Sequence, residues 1–362
     1  MQISHRLSQR FRTPIPGMIT VEKRFRTKWR RWIAMNKIRT AVVGLNMGLA
    51  HAYAYKLAER SELRWVVDLD EEKAKKVAEE LGCNYTTDWT KILDDVDAVS
   101  LCTPHHLHAS QSLTAIAAGK HVLLEKPLAN SEEDCLSVVR AAEQNNVTLM
   151  LAFVVRFLPA IRKLKEAVDS GKYGVPISAQ GWVEAFLNPA PGTWFASKEK
   201  LGGGCLFSHG CHYIDILLYL LGEPNRVSHF GTRVGTEWME GEGTSHGIIE
   251  FKSGALGHLV TSWGMKYKKP PAKFHIHMTE GFLELDNSMW KVTAISKDGT
   301  ETLYERPPEY PNRQGQNVLF EIEHFLESIA NGTRPETDGY EILKSHRTIW
   351  AMYGSQGVPV TV

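Results

Sequence analysis

From Lys37 onward the chain alternates short, strongly apolar runs with amphipathic stretches, and this alternation constrains the fold more than any other feature. Residues 38–44 (IRTAVVG), 63–68 (LRWVVD), 98–103 (AVSLCT), 121–125 (HVLLE) and 148–153 (TLMLAF) read as strands. Between them, 48–58 and 71–81 read as helices, the second with its charges on one outer face. Strands too apolar to face water on either side, separated by helices, predict a parallel sheet covered on both faces. Residues 37–156 are therefore expected to form a doubly wound α/β domain of the nucleotide-binding type.

The pattern changes after Pro159. A helix over 160–170 leads into shorter, alternating segments at 178–185, 227–234, 247–251, 256–263, 273–278 and 282–285, punctuated by glycine-containing turns. An amphipathic helix at 211–221 interrupts them, and helical patterning returns at 318–330 and 340–352. Residues 157–362 are expected to form an α+β domain with one large open, mostly antiparallel sheet backed by helices. Packing of the last helices back onto the first domain is left open.

Length and composition fit this division. A chain of 362 residues with 43% hydrophobic and 23% charged residues buries a sizeable core, which excludes a disordered or fibrous protein. The apolar run 149–155 is seven residues, far short of a membrane span. Five scattered cysteines without a CxxC pair argue against a disulfide framework or structural zinc and favour a reducing, cytoplasmic compartment. The net charge of +1 conceals an asymmetry: residues 1–36 carry nine Arg or Lys and one Glu, net +8, which leaves the remainder at −7. An acidic body argues against nucleic acid as the partner. The basic segment lacks the apolar stretch of a secretory signal and is expected to be an extension that contributes nothing to fold or catalysis.

Four segments carry chemistry. Gly44, Asn46, Met47 and Gly48 lie in a strand-to-helix turn (GLNMG), where backbone N–H groups at a helix N-terminus can face a pyrophosphate. The usual GxGxxG is incomplete, and alone this is equally an ordinary turn. Asp68 ends the next strand, where a carboxylate accepts hydrogen bonds from the adenosine ribose; capping of the following helix is the other reading. Thr103, Pro104, His105 and His108 (TPHHLH) follow the fourth strand and border the same site. Three histidines on one loop without an acidic or thiol partner do not make a metal site, and no metal is expected. Glu125 and Lys126 (EKP) end the next strand, with Lys126 toward the nicotinamide end of a dinucleotide or simply on the surface.

The fourth segment is GGGCLFSHGCHYID (202–215). Ser208, His212 and Asp215 share one helix face, and a triglycine permits close approach of another domain or a ligand. Histidine titrates near neutrality and suits proton transfer beside a departing hydride, although a core histidine held by Asp215 would look the same.

Together, AVVGLNMGLAH (41–51), VVDLD (66–70), DAVSLCTPHHLHA (97–109), AGKHVLLEKPLA (118–129), RFLPA (156–160) and the glycine-rich segment resemble the Gfo/Idh/MocA oxidoreductase family, from about Lys37 to the C-terminus. The resemblance implies a Rossmann domain, a second domain with a large sheet, and a nicotinamide cofactor. It implies hydride transfer to or from a hydroxyl or ketone of a sugar, cyclitol or related polyol. By the same resemblance Lys126 and His212 are catalytic. Arg156, Trp194, Ser208, His209 and Asp215 are expected to contact substrate. Gly44, Asn46, Met47, Gly48, Asp68, Thr103, Pro104, His105, His108, Glu125 and Lys126 are expected to contact cofactor. NAD is expected over NADP, because Asp68 would repel a 2′-phosphate and Leu69 rather than Arg follows it. A homodimer or homotetramer is expected by analogy.

One departure stands out: the family often has an aspartate four residues before the active-site histidine, and here that position is Ser208. Ser208-His209-Gly210 is also similar to a Thr-His-Gly stretch of NAD-dependent glycoside hydrolases in this family, which use transient oxidation. That is the alternative activity. A non-catalytic nucleotide sensor is a third reading, opposed by the presence of both Lys126 and His212.

Overall fold

The computed structural model describes residues 37–267, 270–310, 314–355, 358 and 360–362. The basic extension 1–36 lies outside the described residues.

Each apolar run of the first half becomes a parallel strand. β1 (Ile38–Val43), β2 (Ser61–Val67), β3 (Asn84–Thr86), β4 (Ala98–Leu101), β5 (His121–Glu125) and β6 (Leu149–Ala152) form one sheet in the order β3-β2-β1-β4-β5-β6. Chain order reverses between β1 and β4, so the crevice for a ligand opens beyond their carboxyl ends. Helices α1 (Gly48–Leu57), α2 (Glu71–Leu81), α3 (His108–Ala117) and α4 (Glu132–Gln144) cover both faces. Ala98, Val99, Ser100 and Leu101 are all buried, as the run AVSL requires of a central strand. The short edge strand β3 has no apolar run and was not foreseen.

Two short helices, α5 (Val154–Phe157) and α6 (Pro159–Asp169), lead into a nine-stranded sheet. It is built from β7 (Pro176–Glu184), β8 (Pro224–Thr232), β9 (Thr244–Phe251), β10 (Leu256–Ser262), β11 (Phe274–Met278), β12 (Gly281–Leu285), β13 (Lys291–Ser296), β14 (Gly299–Glu305) and β15 (Val360–Thr361). The order is β14-β13-β12-β11-β7-β10-β9-β8-β15, antiparallel throughout except for the parallel pair β7–β10. One face packs on α6, on α8 (Cys211–Leu221) and on α10 (Gly339–Ser355); α7 (Lys198–Leu201) and a wide turn at Leu206–Gly210 precede α8. The stretch Lys198–Leu221 is the one described helical run long and apolar enough to span a membrane, yet 83% of its most apolar 18-residue window is buried inside the molecule.

The last helices do pack back. α9 (Gln316–Asn331) lies on α1, and its Ile322, Phe325 and Leu326 share a core with Tyr55 of α1 and with Val42 and Val66 of the first sheet.

Candidate active site

The Gly44 turn packs backbone against backbone. Gly44 adopts φ +87°, and a Cβ there would stand 2.5 Å from the Cys102 carbonyl oxygen. A Cβ on Gly48 would press on Val42 and the Cys102 thiol. Both glycines therefore bring α1 close to the ends of β1 and β4. No side chain caps α1, whereas Asp70 caps α2 and Ser131 caps α4. An uncapped helix N-terminus at the sheet's reversal point fits a dinucleotide pyrophosphate.

Asp68 is not the cap of α2, since Asp70 holds that role. Its Oδ2 accepts from Leu45 N at 2.8 Å and Lys73 Nζ at 3.1 Å, and its Oδ1 from Asp70 N at 3.1 Å. Burial works against the charge, but these donors hold the carboxyl below its ordinary range. Lys73 also reaches Asn46 Oδ1 at 2.7 Å, so one ammonium ties the Asn46 side chain to Asp68. The sequence reading missed this ammonium. NAD should be used with higher kcat/KM than NADP, and Asp68→Ser should shift the ratio toward NADP by roughly tenfold or more, because the change removes a repelling charge and releases Lys73 to meet a 2′-phosphate. An unchanged ratio would refute the role given to Asp68.

The three loop histidines do different things. His105 and His108 are buried, while His106 is exposed. His105 Nδ1 donates to the Leu201 carbonyl at 2.9 Å, and its ring meets Trp194 edge-on with centroids 4.6 Å apart. The His108 ring spans the carbonyls of Pro127 (2.6 Å) and Thr103 (2.8 Å), tying the EKP turn to the preceding loop. Among the described residues, no group of three or more His, Cys, Asp or Glu is placed to hold a metal ion.

Lys126 crosses from the first sheet to the second half of the chain: its Nζ donates to the Ser208 carbonyl at 2.8 Å. Ser208 lies in the wide turn Leu206–Gly210, where the helical hydrogen-bond ladder is loosened and a carbonyl becomes available to an outside donor. His212 follows one turn later, with 8% exposure. Its Nδ1 is buried without a hydrogen-bond partner, which leaves Nε2 as the nitrogen available to a substrate. Burial, with Lys126 nearby, pushes the imidazole down to about 3, so the ring is neutral at physiological pH. The ring is not held by Asp215. Behind Lys126, Glu125 accepts from the Lys126 N–H at 3.0 Å and faces His51 Nε2 at 3.3 Å. Burial would raise its carboxyl, yet His51, Lys126 and His212 bring it down to about 2. His51, on α1, escaped the sequence reading because only the fold brings it to β5.

Arg156 and Asp215, both expected to contact substrate, meet each other: Arg156 Nε donates to Asp215 Oδ2 at 2.9 Å, Nη2 bonds Oδ1, and the side chains are only 4% and 2% exposed. The pair braces α5 against α8, and Arg156 Nη1 also reaches Glu341 Oε1 at 3.4 Å. Trp194 is half-buried against His105 and stacked on Phe195, with ring centroids 4.1 Å apart. His209 Nδ1 accepts the Trp263 indole N–H at 3.2 Å, which fixes that nitrogen as an acceptor.

Comparison with known proteins agrees with this geometry. Residues 38–153 match the model of an oxidoreductase family with an NAD-binding Rossmann fold, and 161–284 match the GFO/IDH/MocA C-terminal domain. The chain is 30% identical over 311 residues to scyllo-inositol 2-dehydrogenase (NAD(+)) of Bacillus subtilis, covering 83% of this chain and 88% of the relative. It belongs to the GFO/IDH/MocA oxidoreductase family. A second member, levoglucosan dehydrogenase of Pseudarthrobacter phenanthrenivorans, is 27% identical over 366 residues, with 85% of this chain and 94% of that protein covered. The solved structure of levoglucosan dehydrogenase with NADH and levoglucosan superposes with a TM-score of 0.82 at 25% identity, over 90% of this chain and 99% of the other. This GFO/IDH/MocA chain is thus an oxidoreductase with an NAD-binding domain.

Proposed function

We propose that the protein is an NAD-dependent dehydrogenase of a ring hydroxyl on a sugar or cyclitol, with residues 37–156 holding the cofactor and 157–362 the substrate. The observation that carries this reading is the bridge from Lys126 to the Ser208 carbonyl, one helical turn from a neutral, buried His212. The named substrates of the relatives, levoglucosan and scyllo-inositol, are polyhydroxylated rings and support the substrate class.

Bound NAD supplies a hydride acceptor at nicotinamide C4, or a donor in the reverse direction. Lys126 lies where its ammonium can donate to the reacting oxygen and stabilise its developing negative charge. His212 takes the hydroxyl proton at Nε2 during oxidation and returns it during reduction. Ser208 contributes the carbonyl that holds Lys126, and Trp194 a flat apolar surface for a sugar face. A panel of sugars and polyols with NAD and NADP, read by absorbance of the reduced cofactor, tests the assignment. Glycoside cleavage without net NADH formation would favour the hydrolase reading instead.

The outer face of the nine-stranded sheet carries Phe230, Ile248 and Leu256, exposed at diagonal positions on the neighbouring strands β8, β9 and β10. We infer that a second copy covers it, which light scattering of the purified protein would show as a dimer or tetramer. The five described cysteines are free thiols, in keeping with a cytoplasmic setting.

A further inference from the structure

The helix that carries Ser208, His209 and His212 starts in an unusual way. Its first four backbone N–H groups have no partner within the helix, as at any helix start, and two residues from distant segments satisfy all four. Gly204 N donates to the Tyr353 hydroxyl at 3.0 Å, and Phe207 N to the same oxygen at 3.2 Å. Cys205 N donates to the Glu242 carbonyl at 2.8 Å, and Leu206 N to Glu242 Oε1 at 3.0 Å. The two side chains are joined, because the Tyr353 hydroxyl donates to Glu242 Oε1 at 2.9 Å. Ser245 Oγ adds a further bond to that oxygen at 3.2 Å. The first bond within the helix, Ser208 N to Gly204 O at 3.1 Å, follows directly.

This arrangement also explains the triglycine. A Cβ on Gly204 would collide with the Glu242 carboxylate, one on Gly203 with the Tyr353 ring, and one on Gly202 with the Asn130 side chain. The close approach is made by the protein's own side chains.

The clamp acts on the wide turn between the helix start and α8. That turn offers the Ser208 carbonyl to Lys126 at 2.8 Å. We propose that Glu242 and Tyr353 are positioning residues for the reaction, fixing the Ser208 carbonyl and through it the Lys126 ammonium. The inference rests on the catalytic roles proposed for Lys126 and His212. It assigns to two residues outside the motif the task of holding that carbonyl in place.

The test is a double-mutant cycle on the full chain. Tyr353→Phe removes the acceptor for two backbone N–H groups while keeping the ring. It should lower kcat by roughly 10- to 100-fold, the cost of misplacing a catalytic group by about 1 Å, with the Kd for NAD from calorimetry unchanged within about twofold. In a Lys126→Ala background the same substitution should lower kcat by less than about threefold, because its effect travels through Lys126. Glu242→Gln, which keeps the volume, should show the same pattern with a smaller drop and serves if Tyr353→Phe does not fold. A full multiplicative loss in the Lys126→Ala background, or an unchanged kcat in both single variants, would overturn the proposal and leave the clamp purely structural. If Lys126→Ala itself leaves kcat intact, the catalytic assignment fails and not the coupling alone.

Discussion

Lys126→Ala and His212→Ala should each lower kcat by 10²-fold or more while His212→Ala leaves NAD affinity nearly unchanged. The magnitude is that of a lost acid/base or charge-stabilising group. The binding result follows from position: His212 is on a helix of the second half of the chain, whereas the Gly44 turn and Asp68 follow β1 and β2 of the first sheet. Ser208→Ala should stay within roughly tenfold of the parent, since the contact to Lys126 uses the main-chain carbonyl, which the substitution keeps. The pH dependence is equally specific. A buried imidazole that protonates only near pH 3 remains competent as a base through pH 5, so His212 should produce no limb in kcat/KM near its ordinary value of about 6.5. A severe His209→Ala with a tolerated His212→Ala would reverse the assignment and point to the hydrolase-like chemistry.

Arg156→Ala should destabilise the protein by about 3–5 kcal/mol, because it leaves the buried Asp215 charge without its partner, and Asp215→Ala by less, because Glu341 still faces the arginine at 3.4 Å. Burial opposes charge on both groups, and burial raises the Asp215 carboxyl even beside its arginine. Asp215→Asn should also lower the thermal midpoint by several degrees, with KM for the sugar little changed in whatever enzyme remains folded. A raised KM with unaltered melting would restore the substrate-binding role expected from the sequence.

These cases show what a linear reading of this chain reaches and where it stops. Runs such as AVSL and HVLLE declare buried strands through local composition, and EKP and GGGCLFSHGCHYID mark the reacting corner through rare combinations of residue types. Asn84–Thr86 and Gly299–Glu305 pass unnoticed because edge strands with exposed side chains have no apolar signature. Arg156 and Asp215 look like ligand-binding charges because 59 residues separate them and only the tertiary fold joins them. Glu242 and Tyr353 are invisible for the same reason: a tyrosine 149 residues away from the backbone it caps leaves no local trace. The widened turn at Leu206–Gly210 likewise reads as ordinary helix, since periodicity does not register a single loosened turn.

The return of Gln316–Asn331 to α1 has a consequence for biosynthesis. Tyr55 and Val66 are translated early, but the side chains that shield their core, Ile322, Phe325 and Leu326, emerge some 260 residues later. At a ribosomal rate of roughly 5–20 residues per second, the nascent cofactor-binding half waits on the order of tens of seconds with that flank uncovered. A nonsense codon between the end of β6 and Gln316 would leave the dinucleotide fold with one wall missing rather than a shortened but intact NAD-binding protein.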